Sequence, residues 1–203
     1  MIMQAKDYSK PMKLFKKFGG TARTAELIRA GMHPRMLYDM LEAGAIEKLS
    51  RGLYRLADLP PLGNPDLVAV ALRVPNGVLC LISALAFHEI TTQIPHEIYL
   101  AIGRNSRAPR IDYPPVRVFR FPESSFSEGI ERHTVDGVEV KVYSPEKTLA
   151  DCFKYRNKIG LDTAIEALRR YRQGRRFNSD RILNFARMNR VEKLMRPYLE
   201  ALL

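Results

Sequence analysis

The sequence predicts an α+β protein, and three observations carry that prediction. Segments of helical periodicity alternate with short β-branched runs along the whole chain, the hallmark of mixed architecture. A proline-rich break at 59–65, Leu-Pro-Pro-Leu-Gly-Asn-Pro, can continue neither a helix nor a central strand, so it divides the chain. The charge is uneven as well. Residues 1–60 carry net +5, 61–150 net −1 and 151–203 net +7, within a total of +11 over 203 residues. The expected organisation is a module over 1–59, a linker over 60–65 and a second domain over 66–203.

The first module reads as three helices and a hairpin. Over Pro11–Phe18, Met12, Leu14, Phe15 and Phe18 oppose Lys13, Lys16 and Lys17, an amphipathic helix stopped by Gly19-Gly20. Thr21 or Thr24 opens a second helix through Arg29, closed at Gly31, where a tight turn calls for positive φ. His33-Pro34 opens a third, Pro34–Ala43, with Leu37, Met40 and Leu41 on one face and Arg35, Tyr38, Asp39 and Glu42 on the other. Residues 45–49 and 53–56 then alternate as strands about Ser50-Arg51-Gly52. This order is that of a winged helix-turn-helix. Such a module lays its third helix in the major groove and its wing along phosphate or the minor groove. The residues expected at duplex DNA are His33, Arg35, Tyr38, Lys48, Ser50 and Arg51, with Lys16 and Lys17 suited to phosphate or to plain solvation. His33 suits a capping or phosphate-facing role. Asp39 and Glu42 fit DNA poorly unless they read a cytosine amino group or point away.

The second domain is expected to be α+β, with a small, mostly antiparallel sheet and a helical C-terminal block. A helix follows Asn64-Pro65-Asp66, and Leu79–Phe87 reads as a buried helix ended by His88. Strands follow at Glu97–Ile102, Val116–Phe121, Ile130–Val135 and Val138–Tyr143, the last two joined by an Asp136-Gly137 turn. From Ser144 the pattern is helical, with segments over Pro145–Phe153, Leu161–Tyr171, Ser179–Met188 and Val191–Leu203.

Composition and motifs narrow the chemistry. Cys80 and Cys152 stand far apart with no CxxC, so neither a zinc site nor a disulfide framework is expected. No apolar run approaches the length of a membrane span, and the N-terminus has no secretory h-region, which makes a cytoplasmic protein without membrane or small-molecule partners the default. No phosphate-binding loop, nucleophile elbow, HExxH or dinucleotide fingerprint occurs, so no cofactor, metal or catalytic residue is expected. One pattern stands apart: Glu139 and Lys141 make the ExK spacing of metal-dependent nucleases, with Asp112 a conceivable upstream carboxylate. Against it, Val138, Val140 and Val142 point inward, which turns both charges outward to solvent. Asp151 suits pairing with Lys147 or Arg156. Arg169, Arg170, Arg172, Arg175 and Arg176 make a second basic surface, suited to nucleic acid, to an acidic partner protein or to solvation.

The stretch Thr21–Leu56, TARTAELIRAGMHPRMLYDMLEAGAIEKLSRGLYRL, resembles the N-terminal domain of AbiEi-type antitoxins of bacterial abortive-infection systems. Leu79–Ile102, LCLISALAFHEITTQIPHEIYLAI, and Val140–Tyr171, VKVYSPEKTLADCFKYRNKIGLDTAIEALRRY, resemble the C-terminal domain of the same family. The resemblance implies a phage-defence toxin–antitoxin protein of two functions. Its winged helix would bind inverted repeats in its own promoter and repress the operon. Its C-terminal domain would counteract a co-encoded nucleotidyltransferase-like toxin in a type IV arrangement, without catalysis of its own. Arg35, Tyr38, Lys48 and Arg51 fall on the recognition helix and wing.

Overall fold

The computed structural model describes residues 7–174 and 177–202. Among them the chain forms α1 (Ser9–Lys17), β1 (Thr21–Arg23), α2 (Thr24–Arg29), α3 (Pro34–Glu42), β2 (Ile46–Ser50), β3 (Leu53–Leu56) and α4 (Pro65–Arg73). It continues with β4 (Val78–Leu79), α5 (Leu81–Phe87), β5 (Ile98–Gly103), β6 (Val116–Phe121), α6 (Glu123–Phe126), β7 (Ile130–Val135) and β8 (Val138–Tyr143). Five helices close it: α7 (Pro145–Lys154), α8 (Arg156–Ile159), α9 (Leu161–Gln173), α10 (Ser179–Met188) and α11 (Glu192–Glu200). The architecture is mixed α+β, and no described helix is long and apolar enough to cross a membrane.

The chain separates into two compact units. One holds the residues up to Arg73 together with Thr134–Val138; the other holds 74–133 and 139–203. The proline-rich break therefore lies inside the first unit, and α4 groups with the N-terminal elements. Local bonds explain why the break does not act as a free linker. The carboxylate of Asp136 accepts from the backbone N–H groups of Gly63 (3.1 Å) and Asn64 (2.9 Å), which holds its carboxyl below its ordinary range. Asn64 in turn caps α4, its side chain accepting from Leu67 N at 3.2 Å.

In the first unit, three antiparallel strands in the order β1-β3-β2 support the helices. Phe15, Ala22, Leu27, Met32, Leu37, Met40, Ile46 and Leu56 form its core. Periodicity dictates this: one face of each helix and alternate strand positions turn inward together. The sequence gives no sign of β1. Its three residues qualify as a strand only through pairing with Leu53–Arg55, some 30 positions away in the chain.

In the second unit the sheet order is β6-β5-β4-β8-β7. This sheet is mixed rather than mostly antiparallel. β5 pairs parallel with β6 and β4 pairs parallel with β8, whereas β4 and β5 are antiparallel. The reason is connection length: the stretch 104–115 is long enough to carry the chain back to the same end of the sheet, which a tight hairpin cannot do. The buried helix expected over Leu79–Phe87 begins only at Leu81, because Val78 and Leu79 are taken up as strand β4 opposite Leu100 and Ala101. Helices α5, α7, α9, α10 and α11 share one core with the sheet residues Tyr99, Ala101, Phe119, Phe121 and Tyr143. At its centre Lys147 and Asp151 pair, as their i, i+4 spacing predicts, with Asn189 as third partner. Arg156 instead donates to Phe153 O.

Candidate nucleic-acid interface

The first unit's exposed surface is organised around α3. Its start is fixed by Pro34 at the first helical position and by His33, whose Nδ1 accepts from Arg35 N at 3.2 Å. With Nδ1 accepting, the ring proton sits on Nε2, so this exposed imidazole presents a hydrogen-bond donor. Leu37 and Met40 are buried. Arg35, Tyr38 and Glu42 therefore project together from the opposite side, at the i, i+3 and i+7 spacing of one helical face. Tyr38 is 70% exposed, the largest value among the large apolar side chains of this unit's described residues. Nothing in the core accounts for an aromatic ring held that far into water. Asp39 is half-buried beside Tyr8, whose hydroxyl donates to Asp39 O, while Glu42 is exposed and leaves one acid on this face.

The hairpin is tied to the helices through backbone bonds. Gly52, at φ +72°, turns the chain where a side chain would be strained, and its carbonyl accepts from Thr24 N at 2.9 Å and Thr24 Oγ1 at 3.4 Å. The Arg73 guanidinium donates to Arg51 O and braces the same turn from α4. Between Lys48 and Ser50 the register slips by one residue, a bulge that twists the tip. Lys48 and Arg51 stand exposed.

Electrostatics favour an anionic partner here. The acid on β2, Glu47, is paired at 3.0 Å with Arg55, a buried guanidinium that also donates to Leu59 O and Pro60 O. This pairing removes the one negative charge flanking Lys48, and the hairpin presents a net positive tip. Neither Arg55 nor Arg73 could be picked out from the sequence, because their acceptors are brought to them only by folding.

The expected contacts divide accordingly. His33, Arg35, Tyr38, Lys48 and Arg51 are exposed on α3 and the hairpin. Lys16 and Lys17 are exposed in the last turn of α1, which packs on β1 and β3. Ser50 differs from these: the residue is half-buried, and its hydroxyl oxygen is buried without a hydrogen-bond partner among the described residues.

The other sequence-derived candidates resolve separately. Glu139 pairs with Arg132 at 2.6 Å, and Lys141 donates to Pro75 O at 2.9 Å. Each charge of the nuclease-like pattern thus has its own unrelated partner. Among the described residues no group of three or more acidic, histidine or cysteine side chains is placed to hold a metal. In the arginine-rich run, Arg170 pairs with Glu166 at 2.8 Å, and Arg172 donates to Leu202 O and lies over the Phe177 ring. Arg169 is exposed, and Arg175 and Arg176 lie outside the described residues.

Residues 9–57 match the sequence profile of the family described as "Transcriptional regulator, AbiEi antitoxin". That segment spans α1 through the hairpin and stops before the proline-rich break. No curated protein matches the chain significantly. Among solved structures, the fold is similar to that of the RV2827C protein from Mycobacterium tuberculosis. The TM-score is 0.53 at 14% identity, over 95% of this chain and 80% of that one. At such identity the likeness is one of fold.

Proposed function

We propose that this protein is a DNA-binding transcriptional autorepressor and the antitoxin of a bacterial toxin–antitoxin operon. Residues 1–59 act as a winged helix-turn-helix: α2 and α3 form the helix pair, and β2–β3 form the wing. α3 enters the major groove with Arg35 and Tyr38 toward base edges, while His33, Lys48 and Arg51 hold phosphate or the minor groove, with Lys16 and Lys17 near flanking phosphate. Residues 66–203 are the antitoxin part and counteract a nucleotidyltransferase-like toxin without an enzymatic step of their own.

One observation carries this reading: a solvent-facing Arg35–Tyr38 helix face stands on the same small unit as a basic hairpin whose acid is already neutralised by Arg55. The family match over residues 9–57 supports it independently. An electrophoretic shift on the DNA upstream of the protein's own gene tests it. A sequence-selective, salt-sensitive shift is expected; failure to prefer that segment over random duplex would remove the repressor assignment. Co-expression with the product of the adjacent gene tests the antitoxin part, with restored growth expected.

A further inference from the structure

The connection between β5 and β6 is an exposed basic segment that the proposed repressor function does not use. From Arg104 to Tyr113 it reads Arg-Asn-Ser-Arg-Ala-Pro-Arg-Ile-Asp-Tyr, with arginines at every third position. Arg104, Arg107 and Arg110 are all exposed. Among the described residues none of the three has a carboxylate partner, although arginines elsewhere in this unit do, as at Arg117–Glu97 and Arg132–Glu139. The one acid in the segment is Asp112.

The segment is not loosely attached. The guanidinium of Arg120, on edge strand β6, donates to Arg104 O at 3.2 Å and to Ser106 O at 2.6 Å. At the far end Pro114 is buried, whereas the ring of Tyr113 just before it is 61% exposed. The chain therefore holds three unneutralised guanidiniums and one flat aromatic face on a single anchored loop.

Each part narrows the partner. Guanidiniums present planar donor forks that match phosphate oxygens. An exposed aromatic ring among them matches the face of an unpaired base, which stacking recognises without regard to sequence. A duplex offers phosphates but keeps its bases stacked on one another, and an acidic protein offers carboxylates but no such face. We propose that the β5–β6 loop binds single-stranded nucleic acid, with Arg104, Arg107 and Arg110 on successive phosphates and Tyr113 stacked on a base. RNA and DNA strands share this chemistry. The loop belongs to the second unit and the proposed duplex-binding helix to the first, so its failure leaves the repressor reading untouched.

The test is fluorescence anisotropy of labelled oligouridine and oligothymidine of about 12 nucleotides, titrated with the full chain. Saturable binding that weakens steeply with salt is expected. Replacing Arg104, Arg107 and Arg110 together by Ala should weaken it about tenfold or more. Tyr113→Ala should weaken it about fivefold or more, and Tyr113→Phe should restore it, because the ring and not the hydroxyl stacks. These side chains are exposed, so the thermal melting of each variant should match the parent. Preference for oligouridine identifies RNA as the source; equal or stronger binding of oligothymidine identifies single strands in general or DNA. The proposal is overturned by absence of binding to either strand, by parental affinity in the triple variant, or by indifference to Tyr113→Ala. It is equally overturned if oligoglutamate displaces the strands as well as unlabelled oligonucleotide does, which would assign the loop to an acidic protein.

Discussion

The ammonium of Lys147 lies 2.7 and 2.6 Å from the two carboxylate oxygens of Asp151, and both side chains are completely buried. Asn189, at the C-terminal end of α10, donates to the same carboxylate at 2.7 Å, and the Lys147 cation sits 4.5 Å from the Tyr143 ring centroid. Burial still pushes the Asp151 carboxyl up, against the pull of Lys147. Desolvation thus offsets much of the attraction, and the pair specifies how α7 seats in the core more than it stabilises it.

Breaking this pair on one side should therefore cost far more than removing it. Lys147→Ala leaves a buried carboxylate without its cation and is expected to lower unfolding stability by about 3–5 kcal/mol. The double change Lys147→Met with Asp151→Leu removes both buried charges and should cost clearly less than Lys147→Ala, the remaining loss coming from the Asn189 amide left without its acceptor. Urea midpoints compare the three proteins, and equal losses in the single and double variants would contradict the argument.

His88 should make stability fall on mild acidification. Its Nε2–H donates to Tyr143 O at 2.8 Å, and its ring packs beside Phe87 and His133, with Glu131 bonded to His133. Burial lowers its pKa, although the Tyr143 carbonyl and Glu131 oppose this. Because the folded value lies below the unfolded one of about 6.5, the contribution is present above pH 6.5. It is lost as pH drops through the folded value, when the unfolded chain takes up the proton more readily. Melting temperatures at pH 7.5 and pH 5 should differ less in His88→Gln than in the parent, at about those settings.

Two arginines of the proposed DNA surface should respond differently. Arg35→Ala is expected to weaken binding to the operator by about 1–3 kcal/mol while changing affinity for random duplex much less. Arg51→Ala should weaken binding to both and reduce the slope of log affinity against log salt by about 0.9. Anisotropy titrations at several salt concentrations separate the two, and identical behaviour would contradict the roles assigned.

Gly52→Ala should damage the wing without removing any charge. At φ +72° an added Cβ costs about 1–2 kcal/mol, although the nearest atom it meets, Thr24 Oγ1, is 3.7 Å away. Backbone strain, rather than a clash, is the cause. The change should lower the unfolding midpoint and weaken binding evenly across DNA sequences. Binding selectivity that shifts while stability holds would point elsewhere.

Much of the first unit is legible before folding. Helix periodicity, Pro34, Gly31 and the Gly52 turn mark α2, α3 and the hairpin to within a residue or two, because these signals are local. β1 and β4 are not legible: three and two residues carry no period, and each becomes a strand only against a distant partner. The register slip between Lys48 and Ser50 is likewise not legible, because it is defined only by pairing with Leu53 and Tyr54. The Arg35–Tyr38 face of α3 follows from side-chain spacing, but the charge balance of the hairpin rests on Arg55 reaching Glu47 across its strands.

Composition and short-range order thus settle which of the longer segments coil, which extend and which side of each is apolar, since propensity and periodicity act over a few neighbouring residues. Strand order, parallel pairing of β5 with β6, the grouping of α4 with the N-terminal unit and the third partner of Lys147–Asp151 came only with the folded chain. Those depend on contacts between residues far apart in sequence, and no local pattern encodes which of several compatible partners a strand edge or a buried charge will meet.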